Sequence, residues 1–151
     1  MILTRKAILE DLPILYEFEQ GIIAYERPYD VTLKSDPINY YDIKAMIQAE
    51  DTEVLVAVDG EEIVGSAYAR MERAKPYLKY DYYAYLGFMF VKPSYRGQGI
   101  NKLIIDGLKV WCKSKGLKEL RLDVYDGNES ALQAYAKAGF KSLLINMRMD
   151  I

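Results

Sequence analysis

Apolar residues along this chain repeat first at helical and then at strand spacing. Residues 2–6 read as a short strand. Leu12, Leu15, Tyr16, Glu19, Ile22 and Ile23 then share one helical face, with Asp11 at the N-cap and Pro13 in the first turn, which predicts an amphipathic first helix. The stretch Glu26-Arg27-Pro28-Tyr29-Asp30 breaks that pattern, and a second helix is expected over 40–49, entered past Asp36-Pro37.

Beyond it the spacing shortens. Residues 54–58 and 63–71, joined by the turn signal Asp59-Gly60, predict an antiparallel hairpin. Residues 82–91 are aromatic and apolar without alternation, which suits a central strand covered on both faces, and Gly87 inside it marks a bulge. Ile100, Leu103, Ile104, Gly107, Leu108, Trp111 and Cys112 return to one helical face, closed by Lys113, Lys115 and Gly116. Leu120, Leu122 and Val124 alternate with Arg121, Asp123 and Tyr125 as a strand, Asn128 caps a short helix ending at Gly139, and 140–149 is expected as a closing strand or pair. The order β-α-α-β-β-β-α-β-α-β describes an α/β (α+β) chain with a mixed central sheet flanked by helices. The strand-helix-strand passage from Val91 through Trp111 to Val124 should be a parallel, right-handed crossover. No linker or repeat divides the chain, so residues 1–151 read as one domain.

Composition narrows the chemistry. The chain has no histidine and one cysteine, Cys112, which removes Ser-His-Asp and Cys-His nucleophiles, histidine-based metal sites and an internal disulfide. No metal is expected, and any reaction must use carboxylates, tyrosines, lysines, backbone groups or a borrowed co-substrate. Net charge is −2 and the two signs are interspersed, so nucleic acid is not an expected partner. The longest uncharged run, Tyr82–Val91, is half of the roughly 20 residues a membrane helix needs, and the first residues lack a secretory pattern; the expectation is a cytoplasmic protein without a membrane partner.

The segment that carries chemistry is Val91-Lys92-Pro93-Ser94-Tyr95-Arg96-Gly97-Gln98-Gly99-Ile100-Asn101, between a buried strand and a helix start. Glycines there admit a ligand close to the backbone, the free N–H groups of the helix start point at it, the dipole favours a phosphate, and Arg96 adds a forked cation. Lys102 stands where a dinucleotide fingerprint needs glycine, and no Gly-Lys-Ser/Thr follows, so neither nucleotide motif is met. Taken alone, the segment is equally a tight strand-to-helix turn with a solvated arginine. Asn128, Ala131 and Tyr135 fall at i, i+3 and i+7 on one side of the short helix, followed by Gly139-Phe140.

Val-x-Pro-x-x-Arg-Gly-x-Gly before a helix, then Asn-x-x-Ala-x-x-x-Tyr-x-x-x-Gly-Phe after the next strand, resembles the GNAT superfamily of acyl-CoA-dependent N-acetyltransferases. The strong resemblance spans about residues 54–140. It implies a GNAT-like, mostly antiparallel sheet and acetyl-CoA as co-substrate. It further implies that the backbone of Met89, Phe90 and Val91 pairs with the pantetheine arm. Arg96, Gly97, Gln98, Gly99, Ile100 and Asn101 would cradle the pyrophosphate, with Asn128 and Ala131 flanking the arm from the other side. Tyr135 matches the family tyrosine near the thioester sulfur, a proton donor for the departing thiolate.

An amine with a lysine-like pKa of about 10.4 must lose a proton before it attacks. Many family members place a glutamate on the strand before the turn, but Tyr82–Val91 holds no carboxylate. Asp81 and Asp123 remain, Asp123 being the better placed, with a relay through water and Tyr83 or Tyr85; Asp123 is equally a partner for Arg121 or Lys118. A backbone N–H freed at the Gly87 bulge is the candidate donor to the carbonyl oxygen. The acceptor, a small-molecule or peptide amine, would enter beside the first two helices, where Glu26, Arg27, Tyr29 and Asp30 mix both charges, unless these residues only pair among themselves. A non-catalytic acyl-CoA sensor and a phosphate-ligand module are the alternatives. The exposed aromatic surface and the closing strand each offer a route to a homodimer.

Overall fold

The computed structural model describes residues 1–151. Its strands are β1 (Ile2–Lys6), β2 (Thr52–Asp59), β3 (Glu62–Arg73), β4 (Tyr82–Val91) and β5 (Leu120–Arg121). The helices are α1 (Leu12–Glu26), α2 (Ile43–Gln48), α3 (Ile100–Ser114) and α4 (Glu129–Lys137). The sheet runs in sequence order, antiparallel from β1 to β4, and β5 joins β4 in parallel after the α3 crossover. This is the expected mixed, mostly antiparallel sheet between helices. No helix is long and apolar enough to cross a membrane.

Central strands that bury both faces have no polar face to alternate with, and the chain fills both sides with separate cores. Val54 and Val56 pack with Leu15, Phe18 and Ile22 of α1 and Ile43 and Ile47 of α2; Leu55 and Ala57 pack with Ile100, Ile104, Ile105 and Leu108 of α3. Each such large aliphatic side chain contributes about 1.5–3 kcal/mol on burial.

The run Tyr82–Val91 defies alternation for a second reason. Tyr68 pairs with Gly87 and Ser66 with Phe90, so Phe88 and Met89 together oppose a single residue of β3. Phe88 adopts φ 58, in the left-handed region, and its carbonyl accepts from the buried Ser66 hydroxyl at 3.1 Å. That bulge exchanges the two faces: Ala84 and Leu86 lie in the α3 core, whereas Phe88 lies in the α1 core. The expected bulge is present, one residue beyond Gly87. Gly87 itself answers to crowding, because a Cβ there would lie 2.6 Å from the Tyr68 ring and hydroxyl. Gly87→Ala is expected to cost about 1–3 kcal/mol, a fall in Tm of roughly 2–10 °C; an unchanged melting temperature would show that Tyr68 moves aside freely.

Four expectations are corrected. Asp11 stands before α1, but its carboxylate accepts from the Ile8 N–H at 2.9 Å and from Arg5 at 2.8 and 3.0 Å, so it fixes the turn leaving β1 rather than capping the helix. The second helix is shorter, because Asp42 caps it by accepting from the Ala45 N–H at 3.2 Å. Past Arg121 the alternating residues 122–125 are not paired, and residues 140–151 form no strand at all.

Candidate active site

Two short local signals position the glycine turn. A 3-10 turn over Pro93–Tyr95 reverses the chain after β4, and Gly97 and Gly99 adopt φ 79 and 77. A side chain at either would meet no atom within 4 Å, so it is the left-handed backbone, not lack of space, that selects glycine. The Arg96 N–H donates to the Pro93 carbonyl and the Leu103 N–H to the Gly99 carbonyl; the N–H groups of residues 97–102 between them have no acceptor in the protein. They gather at the N-terminus of the fifteen-residue α3. The Arg96 Nε donates to the Val91 carbonyl at 3.2 Å, which orients the side chain and leaves the guanidinium without a carboxylate partner. One of the two acceptor positions of the Val91 carbonyl is thereby taken within the chain. Asn101, in the first turn of α3, keeps its Oδ1 buried and without a partner.

β5 touches β4 only at Ala84 and Tyr85. From Leu86 to Val91, β4 has no strand beside it on that side, so Met89 and Phe90 sit on an open edge within the sheet. The far wall is α4. Its N-cap Asn128 is buried, and the side-chain Oδ1 accepts from the Ala131 N–H at 3.4 Å and the Tyr25 hydroxyl at 3.3 Å, leaving the Nδ2 donor unused. At its other end Gly139 takes φ 103, the Phe140 N–H returns to the Tyr135 carbonyl at 3.0 Å, and the two rings meet edge-on at 5.7 Å. The Tyr-x-x-x-Gly-Phe spacing is thus a helix stop that fixes the Tyr135 ring. The Tyr135 hydroxyl has no protein partner, and its pKa is pushed up to about 12, by burial first and then by the Glu26 carboxylate.

Tyrosines and carboxylates gather near β5 and the C-terminal end of α1. Asp123 follows β5 and accepts from the Tyr85 hydroxyl at 3.1 Å. It pairs with neither candidate cation: Arg121 binds Glu119 at 2.6 Å and lies over the Tyr83 ring at 4.5 Å. Burial, then Asp123, push the Tyr85 hydroxyl far up, so it stays a donor. Glu26 is half-buried with no ion pair, and burial raises its pKa. Arg27 does not join it; the guanidinium binds Asp36 at 2.6 Å and the Lys34 carbonyl at 2.8 Å, fixing the loop before α2. Tyr29 stacks on Tyr125 at 5.7 Å, and Asp30 accepts from Thr32, Tyr125 and Arg148.

Sequence reasoning passed over the group that shapes this wall. Glu19, fully buried in α1, accepts from the backbone N–H groups of Tyr40 and Tyr41, both at 2.8 Å. The Tyr41 ring in turn lies 5.2 Å from Phe88 at the bulge and 5.8 Å from Tyr68. The only local signal was a carboxylate on the apolar face of α1; its partners are more than twenty residues away in sequence.

A model of the family described as Acetyltransferase (GNAT) matches residues 18–140. Thialysine N-epsilon-acetyltransferase of Bos taurus is 42% identical over 59 residues, 39% of this chain and 35% of that protein, so the chain spans about a third of the length of the curated relative it matches. Among solved structures, the BH1408 protein of Bacillus halodurans shares the fold with a TM-score of 0.87 at 24% identity, covering 99% of both chains. A predicted acetyltransferase from Clostridium acetobutylicum with acetyl-CoA gives 0.76 at 18% identity, covering 99% of this chain and 96% of that one. The family match runs from α1 through the glycine turn to the helix stop at Phe140, and by it the chain belongs to the acetyltransferase (GNAT) family.

Proposed function

We propose that residues 1–151 form one catalytic domain, working in the cytoplasm, that transfers an acetyl group from acetyl-CoA directly to an amine. The observation that carries this reading is the run of unpartnered N–H groups at residues 97–102 beside the open edge of β4. The first suits a pyrophosphate and the second an extended amide-bearing arm lying alongside a strand. Arg96 would add its cation to the phosphates, and the unused Nδ2 of Asn128, with Ala131, would border the arm from α4. The solved neighbour with acetyl-CoA supports the same donor.

The acceptor would be a small-molecule amine, by analogy with the thialysine named for the bovine relative. Glu26 and Asp123 bear carboxylates without a cation partner among Tyr29, Tyr40, Tyr85 and Tyr125, a setting that suits an ammonium group. Asp123, through the Tyr85 hydroxyl and a water, would take the proton the ammonium must lose. Tyr135 would give one to the sulfur as the thioester breaks, and a backbone N–H at the Phe88–Met89 bulge would donate to the carbonyl oxygen.

Saturating acetyl-CoA or CoA at 100 times Kd is expected to stabilise the protein by about 2.7 kcal/mol, roughly 5–10 °C in Tm, with no response to ATP or NAD. No shift with either CoA species removes the reading; a shift without turnover on any of a panel of amines leaves an acyl-CoA sensor. For the relay, Asp123→Asn is expected to lower kcat by about 10-fold or more. An unaltered kcat would remove Asp123 from the chemistry.

A further inference from the structure

Tyr68 ends in a hydroxyl that packing does not call for. The residue stands directly across the sheet from Gly87, next to the Phe88–Met89 bulge, and its side chain reaches over that glycine. A Cβ on residue 87 would lie 2.6 Å from both the Tyr68 Cζ and its Oη, so the phenol fills the space into which a side chain of residue 87 would project. Tyr68 is only 3% exposed and packs in the α1 core, edge-on to Tyr41 at 5.8 Å and tilted against Tyr85 at 6.4 Å. Phenylalanine would make the same ring contacts, and a buried tyrosine hydroxyl ordinarily finds a partner.

This hydroxyl donates to no carbonyl or carboxylate of the chain. The Phe88 carbonyl accepts from Ser66 at 3.1 Å, and Asp123 accepts from Tyr85 at 3.1 Å. Arg70, two residues further along β3, carries its guanidinium 5.4 Å from the Tyr68 ring and 5.8 Å from that of Tyr85, anchored through Nε to Glu72 at 2.7 Å. A guanidinium has donors alone, so whatever it gives to the Tyr68 oxygen, the O–H is left to donate elsewhere. Burial, the largest influence, raises the Tyr68 pKa; Arg70 works against it, and the Glu72 and Asp123 carboxylates add to it, so the hydroxyl keeps its proton at neutral pH. Beside it lies the bulge, where Phe88 and Met89 leave the ladder with β3 on the stretch of β4 that has an open edge.

Given the acetyl transfer proposed above, on which this rests, we propose that the Tyr68 hydroxyl is a further catalytic group, donating to the carbonyl oxygen of the thioester alongside a backbone N–H of the bulge. As the amine nitrogen bonds to the carbonyl carbon, the electron pair of the C=O π bond moves onto oxygen, where both donors meet it. When the C–S bond breaks, that pair returns and the carbonyl re-forms. Tyr68 keeps its proton throughout. The Arg70 cation beside the phenol strengthens it as a donor while negative charge builds on the oxygen. Tyr68 lies in the α1 core and Tyr135 borders the α3 core, so oxygen and sulfur are served from opposite faces of the sheet.

The test needs no knowledge of the amine. Infrared spectra of acetyl-CoA carrying carbon-13 at the thioester carbonyl, bound to wild type and to Tyr68→Phe, are expected to place the carbonyl band at higher frequency in the variant, because losing a donor strengthens the C=O bond. Tyr68→Phe should retain the thermal shift with acetyl-CoA. On any amine the wild type turns over, its kcat should fall by about 10²-fold with KM for the amine little changed. Arg70→Gln leaves the hydroxyl in place and should move the band the same way by less, which keeps the test decisive should Tyr68→Phe fail to fold. A band unmoved in every variant that binds acetyl-CoA, or wild-type kcat in Tyr68→Phe, overturns the proposal and returns Tyr68 to packing. A wild type that gives no thermal shift with acetyl-CoA would instead strike the acetyl transfer itself.

Discussion

Tyr135→Phe is expected to lower kcat by about 10²-fold while leaving acetyl-CoA binding, read as the thermal shift, unchanged. The substitution is a clean probe because the hydroxyl it removes has no protein partner, while the ring keeps its edge-on contact with Phe140. General acids contribute about 10²–10⁴, and the lower end applies here for a stated reason. A thiol has a pKa of about 8.5, so complete transfer from a phenol held up at about 12 is uphill. In the proposed role the hydroxyl would serve as a donor to sulfur while charge develops, not as a freely dissociating acid. The sign of the pH dependence follows: the working form is the protonated one, and raising the pKa extends it upward, so Tyr135 contributes no alkaline limb below its own pKa near 12. Wild-type kcat in Tyr135→Phe would assign the tyrosine to packing alone.

Glu19→Ala is expected to be the most destabilising single change, by about 3–5 kcal/mol in urea unfolding. The carboxylate is fully buried, and removing it strands the N–H groups of Tyr40 and Tyr41 with no acceptor and opens a cavity beside Leu15 and Ile22. Relief of the cost of burying a carboxylate offsets part of this, which sets the upper end of the range. Glu19→Gln keeps an amide oxygen in the same place and should recover most of the loss. The functional readout is separate: with Tyr40 and Tyr41 released, KM for the amine should rise while the acetyl-CoA shift persists. A Glu19→Ala protein as stable as wild type would mean that the segment before α2 is held by its tyrosine rings.

How much was legible in the sequence depended on range. α3, the β2–β3 hairpin and the Asn128 cap were readable because their signals lie within a few residues of the structure they cause. The glycine turn was readable for the same reason, since positive φ at Gly97 and Gly99 is a property of the turn itself. The bulge was found through Gly87, yet its centre is Phe88, whose unusual φ is imposed by the pairing of Ser66 and Tyr68 on the neighbouring strand. Arg27 showed the limit on charges: its sequence neighbours suggested Asp30 or Glu26, and the loop delivered Asp36 instead. The clamp from Glu19 to Tyr40 and Tyr41 was invisible because nothing local distinguishes a carboxylate that faces two distant amides. Residues 140–149 were expected as a closing strand and form none, because alternation states only which face is apolar and says nothing of where a partner edge lies.

The donors at residues 97–102 belong to the backbone and so carry no side-chain identity. Selection on this turn therefore acts on dihedral angles rather than on letters: Gln98 can drift, whereas Gly97 and Gly99 cannot without strain. On the function proposed above, the acceptor wall would be built the other way, from tyrosines, Glu26 and Asp123, where each exchange would alter what is recognised. A molecule working as proposed could keep its acyl donor while its choice of amine changes, since the two halves would rest on different kinds of chemistry.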